Sequence, residues 1–530
     1  MKKRLALAAG VAAMLTIVAV GFAAGGGGVQ ANEPQVAGDP TSDTTARFPT
    51  NKQNEPSIAV NPIDGTHLIA GSNDEQLQPP CGPGPVRGAT DARNDCSFFP
   101  NVGTDGFYTS ADGGATWTNG GLLPGFSDYA GAPDQLVSDG DPVIVYGPKP
   151  DGHGGFTYSS GARAYYGGLA SFNSNGSPGN QIPELLTVST SDDNGATWSN
   201  PTVAVSSSGH VFNDKPDFWA DRNPSSPFFG RVYASWTQFR SNLAEPVEFA
   251  YSADGGKTWT APNQLSIAQN KAFGGRQGSV VRSGPDGAVY VLWEDSDRFG
   301  TKQVLQVSHD GGATFSKTIT IAYTHDIQDP IPGANFRTDS FPSAAVDQTT
   351  GAVYVAWSDR VGGGIGQIVV AHSTDGGQTW STPVLAGTAS TGYAFFQGLD
   401  VAPNGRVDLG YQALTAKDTS TFGTGNAQVA AFHSESKDGG ASWSKPTRVS
   451  AFSDPAASAQ NNLARQFWGD YNTLVSTNTT AWFIYTDARN GAGCPAVDAF
   501  QQGTASKPAP EDVCPSQFGN SDAFVSAVTP

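Results

Sequence analysis

Six copies of one short phrase constrain this chain more than anything else in it. SADGGATW stands at 110–117, SDDNGATW at 191–198, SADGGKTW at 252–259, SHDGGATF at 308–315, STDGGQTW at 373–380 and SKDGGASW at 436–443. The opening serines recur at a mean spacing of roughly 65 residues. A short strand-forming run precedes each copy, as in VEFAYS or QIVVAHS, and a hairpin lies further upstream, most clearly in SVVRSGPDGAVYVLW (279–293) and SAAVDQTTGAVYVAW (343–357). Each unit is therefore four strands, with the phrase turning the third into the fourth. A four-stranded sheet at this period cannot bury both faces alone, so the copies pack around an axis as propeller blades. The abundance of glycine (65 residues) and the sparse charge (15%) suit such a turn-rich, all-β chain.

The phrase has the composition of a tight turn. Glycine supplies positive φ, aspartate folds back onto nearby N–H groups, Ser and Thr add local hydrogen bonds, and the aromatic packs into the neighbouring blade. A calcium loop would need alternating ligands and a twelfth-position acid, which are missing, so no metal and no cofactor is expected. The role is structural.

The phrase resembles the Asp-box, or BNR repeat, of sialidases and related glycan-active propellers, and the six copies cover about 335 residues. The resemblance implies boxes on the face opposite the active site. It does not carry function with it. Sialidases have six blades. Here seven first strands can be counted, with blades starting near Asn54, Asp139, Asp214, Arg276, Asp339, Phe396 and Phe467. The seventh, GDYNTLVSTNTTAWFIYTD, ends in DAFVSAV (522–528) without an Asp-box. Its fourth strand is expected from the N-terminal segment, within residues 33–48, which closes the ring.

If the boxes mark the bottom, the long loops 72–101, 159–184, 412–426 and 488–520 lie on top, where binding concentrates. Tyr165, Tyr166, Phe396 and Trp468 are the aromatic supply for a sugar there. Two groups of charged residues compete for the site. The recurring Trp357-Ser-Asp359-Arg360, Tyr485-Thr-Asp487-Ala-Arg489 and Trp293-Glu-Asp295-Ser-Asp297-Arg298 read as blade-end salt bridging. The less regular group lies where first strands reach the central channel: Glu55, Asp139, Asp141, Asp214, Asp217, Arg276, Arg337, Asp339, Arg465, Asp470 and Tyr471. Charges converging in a partly desolvated funnel shift carboxylate pKa values and bind polar ligands.

The resemblance implies a three-arginine clamp on a sugar carboxylate, a Tyr nucleophile assisted by Glu, and an Asp acid/base. The family's first arginine falls two residues before a proline; here Gln53-Asn54-Glu55-Pro56 puts Asn54 in its place, so the ordinary clamp is incomplete. Arg276, Arg337 and Arg465 all precede first strands and are the candidates for a different clamp. Asp470-Tyr471-Asn472-Thr473-Leu474 is similar to the stretch around the family's nucleophile, and ring closure brings Tyr471 beside Glu55. Asp74, Asp95 and Asp105 are the acid/base candidates, with Asp74 carried forward. Asp141, Asp217, Asp339 and Asp470 complete the expected binding set.

The N-terminus reads as an export signal over residues 1–31: Lys2, Lys3 and Arg4, then an apolar run from Leu5 to Ala24, then a cleavage site at Val29-Gln30-Ala31. The mature chain is expected to be secreted, monomeric and free of a membrane span. Removing three positive charges takes the formal charge from −18 to −21, which repels phosphate backbones and excludes nucleic acid as a partner. Four cysteines in an exported chain imply two local disulfides, Cys81–Cys96 and Cys494–Cys514. Two functions stay open. One is a glycoside hydrolase, exo-sialidase-like, acting on an acidic glycan at the top of the channel. The other is a non-catalytic propeller that binds glycan or an extracellular protein on the same face.

Overall fold

The computed structural model describes residues 27–34, 52–75, 104–126, 135–172, 184–207, 209–269, 274–388, 392–460, 462–515 and 517–530. Within them the chain is a seven-bladed β-propeller, every blade a four-stranded antiparallel sheet. The innermost strands are Gln53–Val60, Leu136–Pro150, Val211–Ala220, Arg276–Ser283, Ser343–Val346, Tyr393–Val401 and Thr473–Ser476. Blades 1 to 6 are each contiguous in sequence. Blade 7 takes its outermost strand from Val29–Gln30, which pairs with Asp522–Val528 through Val29 opposite Val525 and Gln30 opposite Phe524.

That strand lies upstream of the 33–48 window and inside the segment read as a leader, so the closure differs from the expectation. Val29, Gln30 and Ala31 alternate apolar and polar side chains. Pro34 has no N–H to give to a sheet edge. Ala31 is buried beside Trp482 and Ile484, and its N–H donates to Ala523 O at 2.8 Å.

The core lies between blades rather than within them. Ile58, Val60 and Leu68 of blade 1 pack on Trp482, Ile484 and Val525 of blade 7, and the same arrangement repeats around the ring. The Asp-box aromatics feed these seams. Trp198 meets Phe107 of the preceding blade at 5.7 Å between ring centroids, and Phe315 meets Phe249 at 4.9 Å. Tyr165 and Tyr166 belong to the long strand Phe156–Phe172 and are buried in these seams, not carried on a top loop.

All six boxes share one geometry. In the third copy Ser252 Oγ accepts from Gly256 N (2.9 Å) and donates to Asp254, whose two oxygens accept from the N–H (2.9 Å) and hydroxyl (2.6 Å) of Thr258. Gly255 and Gly256 sit at φ +78° and +89°, which side-chain-bearing residues rarely adopt. The boxes share a face with the first-to-second-strand turns: Asn61 Nδ2 donates to Asn194 of the second box (2.8 Å), and Gly113 N donates to Thr66 O (2.8 Å).

Asp254→Ala should therefore lower stability by about 1–2 kcal/mol, since the orphaned donors are half in solvent. Urea denaturation checks this, and ligand binding on the opposite face should not change. Hydrogen bonds from Thr314, Thr379 and Ser442 hold Asp310, Asp375 and Asp438 down to about 2. Because these folded values lie below the unfolded one, the stabilisation is complete above pH ~3.9 and is lost as pH falls toward 2.

Opposite the boxes, the long connection after Ala481–Asp487 carries two short helices, Pro495–Gln501 and Pro510–Val513, and the Cys494–Cys514 disulfide. Cys494, Val497 and Phe518 pack there on Ala459 and Leu463, forming one wall of the rim. Cys81, Cys96 and Asp95 lie outside the described residues.

Candidate functional site at the channel mouth

Where the inner strands reach the face opposite the boxes, five of the seven share a defect. Register slips by one residue between Asn54 and Ser57, Gly140 and Val143, Asp214 and Asp217, Gln277 and Val280, and Phe395 and Gly398. Each bulge holds a residue at positive φ: Glu55 (53°), Asp141 (55°), Lys215 (49°), Gly278 (63°) and Phe396 (50°). Four of the five carry side chains, which costs backbone strain, and such strain concentrates at functional sites. In blades 1 to 3 a proline follows the bulged residue, and the side chains of Glu55, Asp141 and Lys215 gather at the centre.

One hydrogen-bonded string links them. Asn73 Nδ2 donates to Glu55 Oε2 (2.8 Å) and to Asn54 Oδ1 (2.9 Å), Asp141 N donates to Asn73 Oδ1 (2.8 Å), and Lys215 N donates to Asp141 Oδ2 (3.0 Å). Asp470 closes the ring from blade 7. Arg337 grips it with both edges of its fork, Nε to Oδ1 and Nη2 to Oδ2 at 2.5 Å each, and also lies 3.6 Å from Glu55 Oε1. Lys215 Nζ pairs with the same Asp470 carboxylate. Tyr471 lines the cavity of about 100 Å³ beneath, together with Lys215, Phe341 and Gln397. Its hydroxyl is buried and has no hydrogen-bond partner among the described residues.

Burial and mutual repulsion divide these groups. Burial raises Glu55, and the Asp470 charge adds to it against Lys215 and Arg337. Asp141 is pushed well above the carboxylate range by burial, then by Glu55 and Asp214. Burial would raise Asp470 too, but Lys215 and Arg337 more than offset it and hold it ionised. Burial and the surrounding carboxylates push the Tyr471 phenol well up, so it is protonated at neutral pH. The centre thus pairs one firmly ionised acid with two that keep protons readily, a division suited to acid–base work.

The other expected residues go elsewhere. Arg276 is buried in blade 4, donating to Gly274 O (3.1 Å) and lying 3.4 Å from Asp295. Arg465 pairs with Asp329 at 2.6 Å and donates to Asn335 O. Of the three arginines, Arg337 is the one that reaches Glu55 and Asp470. Asp74 accepts from Gln53 Nε2 (2.8 Å) and Tyr108 Oη (2.7 Å) inside blade 1, fully covered. Burial, and after it the neighbouring Asp139, raises Asp105 well above its ordinary value. Asp217 braces the seam between blades 3 and 4 through Val281 N (2.7 Å) and Arg282 (2.6 Å). Asp339 accepts from Ser340 N and is raised by burial to about 6. Phe396 and Trp468 are core residues with Phe336 and Phe395, so neither offers a face to a sugar. The salt bridges at blade ends are present in part: Asp487 pairs with Arg489 at 2.6 Å and Asp297 with Lys302 at 3.1 Å, while Asp359 accepts a hydrogen bond from Trp357 Nε1 at 3.2 Å.

Lys215, Asn73 and Phe341 are the mouth residues that sequence reasoning missed. The signal was there. Glu55-Pro56, Asp141-Pro142, Lys215-Pro216 and Phe341-Pro342 place one residue before a proline at matching points of four blades.

Comparison with known proteins agrees with the repeat. The BNR/Asp-box repeat description matches residues 250–261 and 371–382. A curated sialidase from Micromonospora viridifaciens is 26% identical over 245 residues, which is 44% of this chain and 34% of that protein. The chain thus spans about a third of the length of that relative. Among solved structures, a Hadza microbial sialidase is 15% identical with a TM-score of 0.41, covering 72% of this chain and 65% of that one. An α-L-arabinofuranosidase of Fusarium graminearum is 13% identical with a TM-score of 0.40, covering 70% and 90%.

Proposed function

We propose that this BNR/Asp-box propeller is an exported glycan-active protein that cleaves a glycosidic bond at the channel mouth. The observation that carries the reading is Tyr471, its hydroxyl buried within the field of Glu55 and Asp141 at two bulged inner strands and of Asp470, the partner of Arg337. In it Tyr471 is the nucleophile. Its raised pKa demands a base in the same step, and Glu55, itself raised by burial, is the carboxylate suited to take the phenolic proton. Asp141 holds a proton more readily still and replaces Asp74 as the candidate donor to the leaving oxygen. Arg337 steadies Asp470 and Glu55. The export part of the proposal rests on the basic–apolar N-terminus and the Cys494–Cys514 disulfide.

The experiment is a hydrolysis screen of the purified protein against aryl glycosides and oligosaccharides, followed by variants. Tyr471→Phe should cut turnover by about 10³-fold or more, while glycan binding should weaken by no more than the loss of one neutral hydrogen bond, about tenfold. Glu55→Gln should cost about 10²–10⁴-fold. Turnover that survives Tyr471→Phe would overturn the assignment. Binding without turnover in the unmodified protein would instead favour the non-catalytic glycan-binding reading.

A further inference from the structure

We propose that Asp470 sets the substrate class of the channel mouth: its own carboxylate occupies the paired cations Arg337 and Lys215, so the glycan taken here is uncharged rather than acidic. The inference rests on the glycan reading above and departs from the acidic substrate that the family resemblance implies.

A fork of two N–H donors aimed at one carboxylate is the geometry by which proteins hold acidic sugars. Here Arg337 makes that fork, and the carboxylate in it belongs to the chain. Both Asp470 oxygens are engaged by Arg337, and Lys215 Nζ shares one of them. Asp470 is 7% exposed, and the Lys215 side chain is buried with it. A tethered carboxylate competes at high effective concentration with any free one. An incoming acid that displaced it would leave the Asp470 carboxylate buried without the cations that hold it ionised. No second clamp stands ready in the other two candidate arginines, since Arg276 and Arg465 hold Asp295 and Asp329.

What is left unpaired at the mouth suits hydroxyl groups. The Tyr471 hydroxyl and Glu55 Oε1 are buried without hydrogen-bond partners among the described residues. They supply a donor and an acceptor for sugar hydroxyls. The Phe341 ring lies under Lys215 Nζ at 5.3 Å and walls the same cavity.

The test reads carboxylate binding directly, so it does not depend on turnover. Thermal unfolding of the unmodified protein is followed in rising acetate and glucuronate, with chloride holding ionic strength constant. The midpoint should not move. Asp470→Ala empties the fork, so its lowered midpoint should rise by about 2 °C or more with either carboxylate and not with chloride. Asp470→Asn, which keeps the shape and removes the charge, provides the second variant should the alanine form fail to fold, and it should respond in the same direction. Stabilisation of the unmodified protein by glucuronate would overturn the inference, as would folded variants that gain no response. If neither variant folds, the unmodified protein alone decides by the same criterion. Failure of the glycan reading would show separately, as an absence of binding to neutral oligosaccharides.

Discussion

A chain that begins at Glu33 should be less stable than one that begins at Gly25 by about 3–5 kcal/mol, the sum of several buried hydrogen bonds discounted for the freedom of a chain end. Those bonds are specific. Asn32 Nδ2 donates to Gln53 Oε1 (2.7 Å) and Asp522 Oδ1 (3.0 Å), and its Oδ1 accepts from Ala523 N (2.9 Å). Gln30 Nε2 donates to Asp522 Oδ1 (2.8 Å), Asn490 donates back to Gln30 (3.0 Å), and Arg489 donates to Gly27 O. Without them, blade 7 has three strands, Asp522–Val528 becomes a bare edge, and the link from blade 7 to Gln53 of blade 1 is reduced to the backbone and hydroxyl of Ser521.

Asp522 gives the loss a pH signature. Burial raises it to about 7 even with Asn32 and Asn490 donating to it. A folded value above the unfolded one means that this group's contribution is fully present below pH ~3.9 and lost as pH rises through 7. With the covering strand removed, Asp522 stands at a solvated edge and burial no longer raises it, so that decline should flatten and the gap between the two chains should narrow from pH 5 to pH 8. Urea titrations at both pH values measure it. Equal stability at both would mean that the segment is decoration. The same contacts fix where an export signal would be cut: N-terminal sequencing of exported protein should read a residue no later than Gly27, not Asn32.

What could be read from the chain was what local chemistry decides. The six boxes were legible because Ser, Asp and Gly at fixed offsets specify one turn whatever surrounds them. Seven inner strands were legible because a proline or a run of β-branched residues opens most of them. The closing strand was not, since two residues carry no periodicity. Tyr165 and Tyr166 were misplaced for a different reason. Gly167 and Gly168 look like loop residues, but a Cβ on Gly167 would come within 2.3 Å of Phe218, and one on Gly168 within 2.9 Å of Asp105. The glycines are there for close packing inside a strand. At the mouth, topology alone placed blade 7 against blade 1: a Cβ on Gly469 would lie 2.8 Å from Glu55 Cγ. The arginines resisted because an ion pair is chosen by three-dimensional neighbours. Nothing in the sequence says that Arg276 turns to Asp295 while Arg337 turns to Asp470.

Far from the mouth, Arg406→Met should cost about 3–5 kcal/mol, the usual loss when one partner of a buried ion pair is removed. Arg406 is 5% exposed and Asp408 fully buried. Arg406 Nε donates to Asp408 (2.9 Å), while Nη1 and Nη2 reach Asn478 O (3.0 Å) and Thr477 O (2.9 Å) in the first turn of blade 7. His433 Nε2 and Ser476 Oγ hold the other sides of Asp408 at 3.0 and 2.8 Å. The guanidinium thus ties two blades and neutralises an acid in one act. Methionine would fill the space but leave Thr477 O without its donor, Asn478 O with the Asn404 amide at 3.4 Å, and Asp408 short of a cation. Burial pushes Asp408 upward, yet the hydrogen bonds from His433 and Arg406 bring it below its ordinary value. Its contribution is therefore complete above pH ~3.9 and lost as pH falls through the depressed folded value. The penalty of Arg406→Met should be largest at neutral pH and shrink toward pH 4, where the variant's Asp408 takes up a proton. Denaturant unfolding at pH 7 and pH 4 measures it, with Asp408→Asn added in a double-mutant cycle to isolate the pair. A penalty below about 1 kcal/mol at pH 7 would mean the network is nearly neutral, as some buried ion pairs are. Acetate and glucuronate should still leave the melting midpoint of the Arg406→Met protein unmoved, because this network lies at the box end of the channel and Asp470 at the other.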